Sequence, residues 1–431
     1  MTVESWAGAE LLNRGCFCIT LDRQALEKSL DREAGAAGFA ASLARSHPLL
    51  FSNVPVFVPA ETMAEMARVV TAVEAAGRLP GYQDAALAWS PAIAQAEFGP
   101  LGALMGYDFH VTPDGPRLIE VNTNAGGAFL NAVLARAQSA CCAEVLAPFD
   151  IRPSEGFGDR IADMFVAEWR LQGRSGRPAT IAIIDDQPEE QHLYPEFRLA
   201  EALLESRGFR VVIADPGDLT MTGGRVAIGG EPVDLVYNRL VDFALDEPRH
   251  AVLRAAYLAG AVVVTPNPRI HALLADKRNL TLLSDADRLR RWGLPQGDVE
   301  LLGAAVPKTT IVSAANADDL WRDRRRLFFK PAGGHGSKAA YRGDKITRGV
   351  WDSILAGAYV AQTFAAPGPR MIEHGETRSE LKVDVRLYTY AGEVLLAAAR
   401  LYQGQTTNMR TPGGGFASVL EVRASTTAAC V

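Results

Sequence analysis

The sequence predicts an α+β chain: a doubly wound α/β unit in the middle, a mixed helical segment before it, and helices with antiparallel strands after it. Three observations carry that expectation. At 431 residues the chain is too long for a single core, since domains mostly hold about 100 to 200 residues. Residues 180–265 alternate short apolar strands with helical stretches, as parallel sheets with crossover helices do. On either side, strand-like runs flank tight turns, as antiparallel hairpins do. With 48% hydrophobic and 22% charged residues, the composition is that of a folded protein, neither disordered nor stapled by disulfides.

Taken in order, residues 54–58 read as a short buried strand. Thr62 and Glu65 form a capping box that opens a helix carrying Met63, Met66, Val70 and Val73, and Gly77 closes it. A second helix is expected over 83–97. Residues 106–122 read as two strands around the turn Pro113, Asp114, Gly115. A helix and then a Gly/Arg/Pro-rich linker, 173–178, mark a boundary. Strands at 180–185, 210–214, 234–238 and 261–265, with helices at 195–207 and 249–258, form the doubly wound unit. Beyond residue 271 come strands at 325–330 and 359–364 and a long hairpin at 381–401.

Several function classes are excluded. The formal net charge of −6 leaves no positive field for nucleic acid. The basic run Arg322, Arg324, Arg325, Arg326 interleaves with Asp318, Asp319 and Asp323, as a solvated helix face with local ion pairs would. No apolar run reaches the length of about 18 residues that a membrane span needs, and residues 1–20 do not read as a signal peptide. Cytoplasm is the expected compartment. The cysteines Cys16, Cys18, Cys141, Cys142 and Cys430 are odd in number and lack a CxxC pair, which fits buried thiols better than zinc. No GxSxG elbow or Walker A sequence occurs.

The chemistry concentrates in two places. In YDFHVTPDGPRLIEVNTNAGG, Glu120 and Asn122 are two apart on one strand and face the same side, and Asp108 lies across the turn on its partner. Two carboxylates and an amide oxygen are hard ligands suited to magnesium on nucleotide phosphates, or else the polar face of an exposed hairpin. Far downstream, Lys330 ends LFFK and is followed by Gly333, Gly334, His335, Gly336, Ser337 and Lys338. Glycines let backbone N–H groups close over phosphates, although a lone surface turn reads the same. His110, Asp114, Asp185 and Asp186 read as surface or strand-end polar residues.

With Lys277 in ADKRNL, the strand YVAQTF around Gln362, and the hairpin carrying Asp384, Arg386 and Arg400, the chain resembles the ATP-grasp ligases. By that resemblance, Lys277 and Lys330 are the two ATP lysines, Gly333 to Lys338 covers the phosphates, and Gln362 stands in the hinge against adenine. Asp108, Glu120 and Asn122 match the magnesium ligands of D-alanine:D-alanine ligase. The metal hairpin precedes the lysines, so the chain looks like a circularly permuted ATP-grasp. Eukaryotic glutathione synthetase shows the same order, with stretches similar to Ile119–Thr123 and Leu235–Arg239. That enzyme also takes a metal-binding Glu from its glycine loop, where this chain has Gly334. ARLYQGQTTNMRTPGGG resembles bacterial glutathione synthetase, which implies that Arg386, Arg400 and Asn408, with Gly413 to Gly415, face the acyl phosphate. Arg386 and Arg400 could instead only bridge carboxylates across a sheet, and Arg239 could meet a substrate carboxylate or form a structural pair.

The resemblance divides the chain into a mixed helical segment on the substrate side (1–100), the metal hairpin with its helix (101–150), a Rossmann-like substrate unit (178–268) and the nucleotide-binding lobes (269–425). It implies an ADP-forming carboxylate–amine ligase that uses ATP and two magnesium ions and passes through an acyl phosphate. The partners would be a small-molecule or peptide carboxylate and an amine nucleophile, with no nucleic acid and no membrane; homo-oligomerisation stays open. The alternatives are a phosphotransferase on the same fold and a nucleotide-binding protein without turnover.

Overall fold

The computed structural model describes residues 3–140, 156–333, 339–374 and 377–423. Its largest sheet has seven strands. Val56–Pro59, Gly415–Val422, Glu393–Tyr402, Thr377–Tyr390, Met105–Thr112 and Gly115–Asn122 lie side by side, and Gly368–His374 pairs with the first half of Thr377–Tyr390. The early hairpin therefore adds to an edge built from the end of the chain. Its turn is the tight connection at Pro113 and Asp114 that the sequence predicts.

The helix Ala60–Gly77 packs on this sheet because Met66, Val69, Val70 and Val73 recur at helical spacing, and they share one buried cluster with Tyr107, Phe109, Val385 and Leu387. It ends at Gly77 as expected, but it does not open on a capping box. Pro59 stands at the N-cap without a side-chain cap, and Thr62 is already on the buried face. The expected helix over 83–97 is instead Pro80–Leu87 followed by a single 3-10 turn, Ala92–Gln95.

The middle of the chain forms a four-stranded parallel sheet in the order Val263–Thr265, Leu235–Asn238, Thr180–Ile184, Arg210–Ala214. A small antiparallel meander, Leu219–Thr222, Arg225–Ile228 and Glu231–Pro232, was not foreseen. Its strands are two to four residues long and its turns are Gly-Gly pairs, so it carries no measurable period. A third sheet joins Thr309–Ile311, Tyr359–Thr363, Leu327–Pro331 and Tyr341–Arg342. No described helix is long and apolar enough to cross a membrane.

Two buried charges fasten these parts together. Glu168 is fully buried and accepts from the N–H groups of Leu101 and Gly102 (2.8 and 3.0 Å), from Tyr390 Oη (3.0 Å) and from Thr265 Oγ1. It thus links the parallel sheet to the loop that enters the early hairpin. Arg370 is also fully buried, and its guanidinium donates to the carbonyls of Asn13, Cys16, Pro55 and Met371 at 2.8–3.0 Å. Replacing it leaves those carbonyls dry and unbonded. Arg370→Met should therefore lower the unfolding free energy by at least about 3 kcal/mol, read as a shifted urea midpoint at unchanged slope; a midpoint equal to wild type would remove the guanidinium from this role.

Candidate functional site

Strand register places the charged residues. On the seven-stranded sheet Asp108 lies directly opposite Glu120 on one side and Arg386 on the other, while Asp384 lies opposite Arg400. Arg386 grips both carboxylate oxygens of Asp108 (2.6 and 2.7 Å). Arg400 donates to Asp108 (2.8 Å) and to Asp384 (2.6 Å). Asn122 Nδ2 adds a bond to Asp108 Oδ2 at 3.1 Å. Gly106 makes room for this row: a Cβ there would sit 2.5 Å from the Ala125 methyl and against the Arg386 side chain.

Asp384, Arg386 and Asp108 are buried. Burial alone would raise the pKa of Asp108; the two guanidiniums overcome it and hold the carboxyl well below the usual range. Both of its oxygens are engaged by side chains of this chain. In this arrangement Asp108 fixes the arginines and orients Asn122, with Oδ1 accepting a single bond, from Arg386, and Oδ2 the other three.

The lysines come from the facing sheet. Lys330, on the central strand Leu327–Pro331, reaches across to donate to the carbonyl of Ile119 (2.6 Å) and to Gln362 Oε1 (2.8 Å). Lys277 Nζ lies 3.9 Å from Glu120 Oε2. The early hairpin and the late lysine strand, remote in sequence, thus converge. Burial, helped by the like charge of Lys277 and opposed by Glu120 and Asp108, pushes the Lys330 amine down to about 8. Burial would raise Glu120, but Lys277 and Lys330 keep its carboxyl low.

These groups line one cleft of about 990 Å3 that opens to solvent, together with Gln362, Arg400 and residues the sequence did not point to: His110, Phe328, Arg342, Phe364 and Tyr402. Phe328 could have been found, because it stands two residues before Lys330 and shares its face. Phe364 stacks near it (6.5 Å between centroids) under the guanidinium of Arg342 (4.5 Å). His110 corrects the expectation of a surface residue: it is 8% exposed, bonds the carbonyl of Ala365 through Nδ1 (2.7 Å), and burial pushes its pKa down.

Asn408 does not reach the cleft. Its amide donates to the carbonyls of Gln403 and Thr406 and accepts from Arg410 N and Thr411 Oγ1, pinning its own loop. Arg386 lies beneath the floor and is not part of the lining. Gly333 is exposed at the end of the lysine strand; Gly334, Gly336, Ser337 and Lys338 lie outside the described residues, as do Cys141, Cys142 and Cys430. Cys16 and Cys18 form no disulfide, and their sulfurs lie 3.4 Å apart.

Behind the hairpin, the turn after Asn122 abuts a second polar pocket. Asn124 donates to the carbonyl of Arg239 (2.5 Å), and Glu196 accepts from the N–H of Gly127, a glycine at φ 98° that opens the helix Ala128–Ala135. Three buried atoms around this turn lack partners among the described residues: Asn124 Oδ1, Glu196 Oε2 and Arg239 Nε. Asp186, Glu247 and His250 come close enough to hold a metal. Both ring nitrogens of His250 already face carboxylates, Asp186 at 3.0 Å and Asp242 at 2.8 Å, which opposes the effect of burial and raises its pKa. That cluster is an ion-paired clasp.

The geometry separates two acidic residues that the sequence grouped. Asp108→Asn should cost about 3 to 5 kcal/mol of stability, as for a broken buried ion pair. Glu120 is 29% exposed, so Glu120→Gln should cost less than about 1 kcal/mol. Denaturant unfolding of both variants checks this, and the reverse order would refute the assignment.

No family model matches the chain, and no curated protein matches its sequence. Solved structures do match in shape. A glutathione synthetase-like effector from Globodera pallida, in its apo form, superposes with a TM-score of 0.56 at 13% identity, covering 93% of this chain and 98% of its own. A putative gamma-glutamylcysteine synthetase from Methylobacillus flagellatus KT gives 0.45 at 10% identity, over 83% and 87%. The ATP-grasp ligase PsnB, complexed with minimal precursor, Mg and ADP, gives 0.30 at 15% identity, over 57% and 89%. At these identities the likeness is one of fold: this chain folds like the glutathione synthetase-like effector.

Proposed function

We propose that the chain is an ATP-dependent ligase that joins a carboxylate to an amine through an acyl phosphate. The observation that carries this reading is the meeting of Lys277, Lys330 and Glu120 at one end of a cleft whose wall is the strand Tyr359–Thr363 and whose floor carries Arg400. ATP fits there, with its base at the aromatic wall of Phe328 and Phe364 and its phosphates at the lysines. The donor set also suits magnesium: Glu120 and the amide oxygen of Asn122 would hold it, with Asp108 orienting Asn122 from behind. When bound, the metal would supply neutralisation of phosphate charge.

The substrate carboxylate attacks the γ-phosphorus, the bond to the β–γ bridging oxygen breaks, and ADP leaves. The amine then attacks the acyl carbon, phosphate leaves, and the amine proton is lost. Arg400, facing the cleft from a row of buried charges, stabilises negative charge on the transferring phosphoryl group without having to reorganise. The enzyme class is tested by incubating the protein with ATP, magnesium and pooled amino acids, peptides and polyamines. Phosphate release that needs two co-substrates and yields a new C–N bond supports ligation. A phosphorylated product with no new bond would make the chain a phosphotransferase, and nucleotide binding without any release would make it a binding protein.

The lysine gives a pH signature. A folded-state pKa of about 8, against an ordinary 10.5, means that Lys330 is charged at neutral pH and increasingly neutral above pH 8. Phosphate favours the charged form, so nucleotide binding should take up a proton above pH 8 and none from this group at neutral pH. Calorimetry in buffers of different ionisation enthalpy reads that uptake, and Lys330→Met should abolish it. Uptake that persists in the variant would place the proton elsewhere.

A further inference from the structure

The helix Val3–Gly15 is followed by two thiols, one on either side of Phe17. Cys16 Sγ and Cys18 Sγ lie 3.4 Å from each other, so a small turn of the side chains brings them to the roughly 2.05 Å of a disulfide bond. The two differ in access. Cys16 is 2% exposed and packs with Leu12, Ile19 and Phe57, whereas Cys18 is half-buried at the edge of the same cluster. The backbone between them is held in place. Cys16 N–H donates to the Leu12 carbonyl (2.9 Å), the Cys16 carbonyl accepts from the buried Arg370 (2.8 Å), and the Phe17 ring lies 5.7 Å from the same guanidinium. Spacing alone reads as two buried thiols; the contact between the sulfurs makes them a pair.

We propose that Cys16 and Cys18 form a reversible disulfide, with Cys18 as the attacking thiol, Cys16 as the resolving one and a small-molecule disulfide as the oxidant. The Cys18 thiolate attacks one sulfur of the oxidant, the S–S bond of the oxidant breaks, and one half leaves as a thiolate. The Cys16 thiolate then attacks the Cys18 sulfur of the mixed disulfide, and the second half leaves. Two electrons pass from the cysteines to the oxidant, whose two halves take up the protons that the cysteines lose. Exposure sets the order of attack, because an oxidant of that size reaches half-buried Cys18 and not Cys16. A bridge across a single intervening residue closes a short, strained ring, so it opens again under mild reduction as a structural bridge would not. Neither thiol lines the cleft, and the assignment stands independently of the ligase reading.

The test equilibrates the folded whole protein in buffers of reduced and oxidised glutathione, quenches with acid, alkylates the remaining thiols and digests with trypsin. Cleavage after Arg14 and Arg23 releases both cysteines in one peptide, residues 15–23. In the oxidised buffers that peptide should escape alkylation and weigh two hydrogens less, and dithiothreitol without denaturant should return it to the doubly alkylated form. In Cys16→Ser, which lacks the resolving thiol, Cys18 should instead accumulate as the glutathione adduct. A wild-type peptide that stays doubly alkylated in every buffer would overturn the proposal on its own, so the test survives a variant that does not fold. A bridge from either cysteine to Cys141, Cys142 or Cys430 would overturn the pairing. An adduct on Cys18 that persists in wild type would overturn the resolving role of Cys16, and a bridge that opens only in denaturant would overturn its reversibility.

Discussion

The architecture depends on one buried carboxylate. Asp108 is held by Arg386 and Arg400, and Arg400 is shared with Asp384, so an early hairpin is joined to two late strands by charge as well as by ladder hydrogen bonds. Such a row is costly to bury, and it is stable only because each carboxylate and guanidinium finds its counterpart directly across or diagonal to it in the sheet. Hydrophobic contact alone would tolerate sliding of the hairpin along the sheet edge by two residues; the fork of Arg386 on Asp108 does not. With the register fixed, Glu120 comes to the cleft.

In that cleft the charge balance is left open. Beneath the floor, acids and bases are matched. At the Glu120 carboxylate Lys277 and Lys330 both act on one acid, and burial weakens the hold of Lys330 on its proton. An anion entering there completes the balance. Binding energy would come from groups already in place, which is how a site limits the reorganisation that a polar transition state otherwise requires.

Much of this was legible in the sequence because the relevant periods are short. The parallel strands appeared as apolar runs bounded by turns, and the i, i+2 spacing of Glu120 and Asn122 gave their shared face. Convergence of Asp108, Glu120, Lys277, Lys330 and Gln362 followed from a family resemblance, since no local pattern links residues so far apart. What stayed hidden depends on registry. Nothing in a strand pattern says that Arg386 will sit opposite Asp108 and so spend its charge beneath the floor, or that Asn408 will satisfy its own loop. His110 read as a surface residue because a lone histidine on a strand carries no sign of the carbonyl waiting on another sheet. The Gly-Gly meander was too short to show a period, and Pro59 displaced the expected helix start because a proline there already sets the entry angle.

The separation of the arginine row along the chain has a consequence during synthesis. Asp108 leaves the ribosome 278 residues ahead of Arg386. At about 5–20 residues per second, that is a wait of roughly a quarter of a minute to a minute. Until then the hairpin carries a carboxylate it cannot bury and an apolar face it cannot cover, so the first quarter of the polypeptide must remain hydrated or in the care of a chaperone while the parallel sheet behind it assembles.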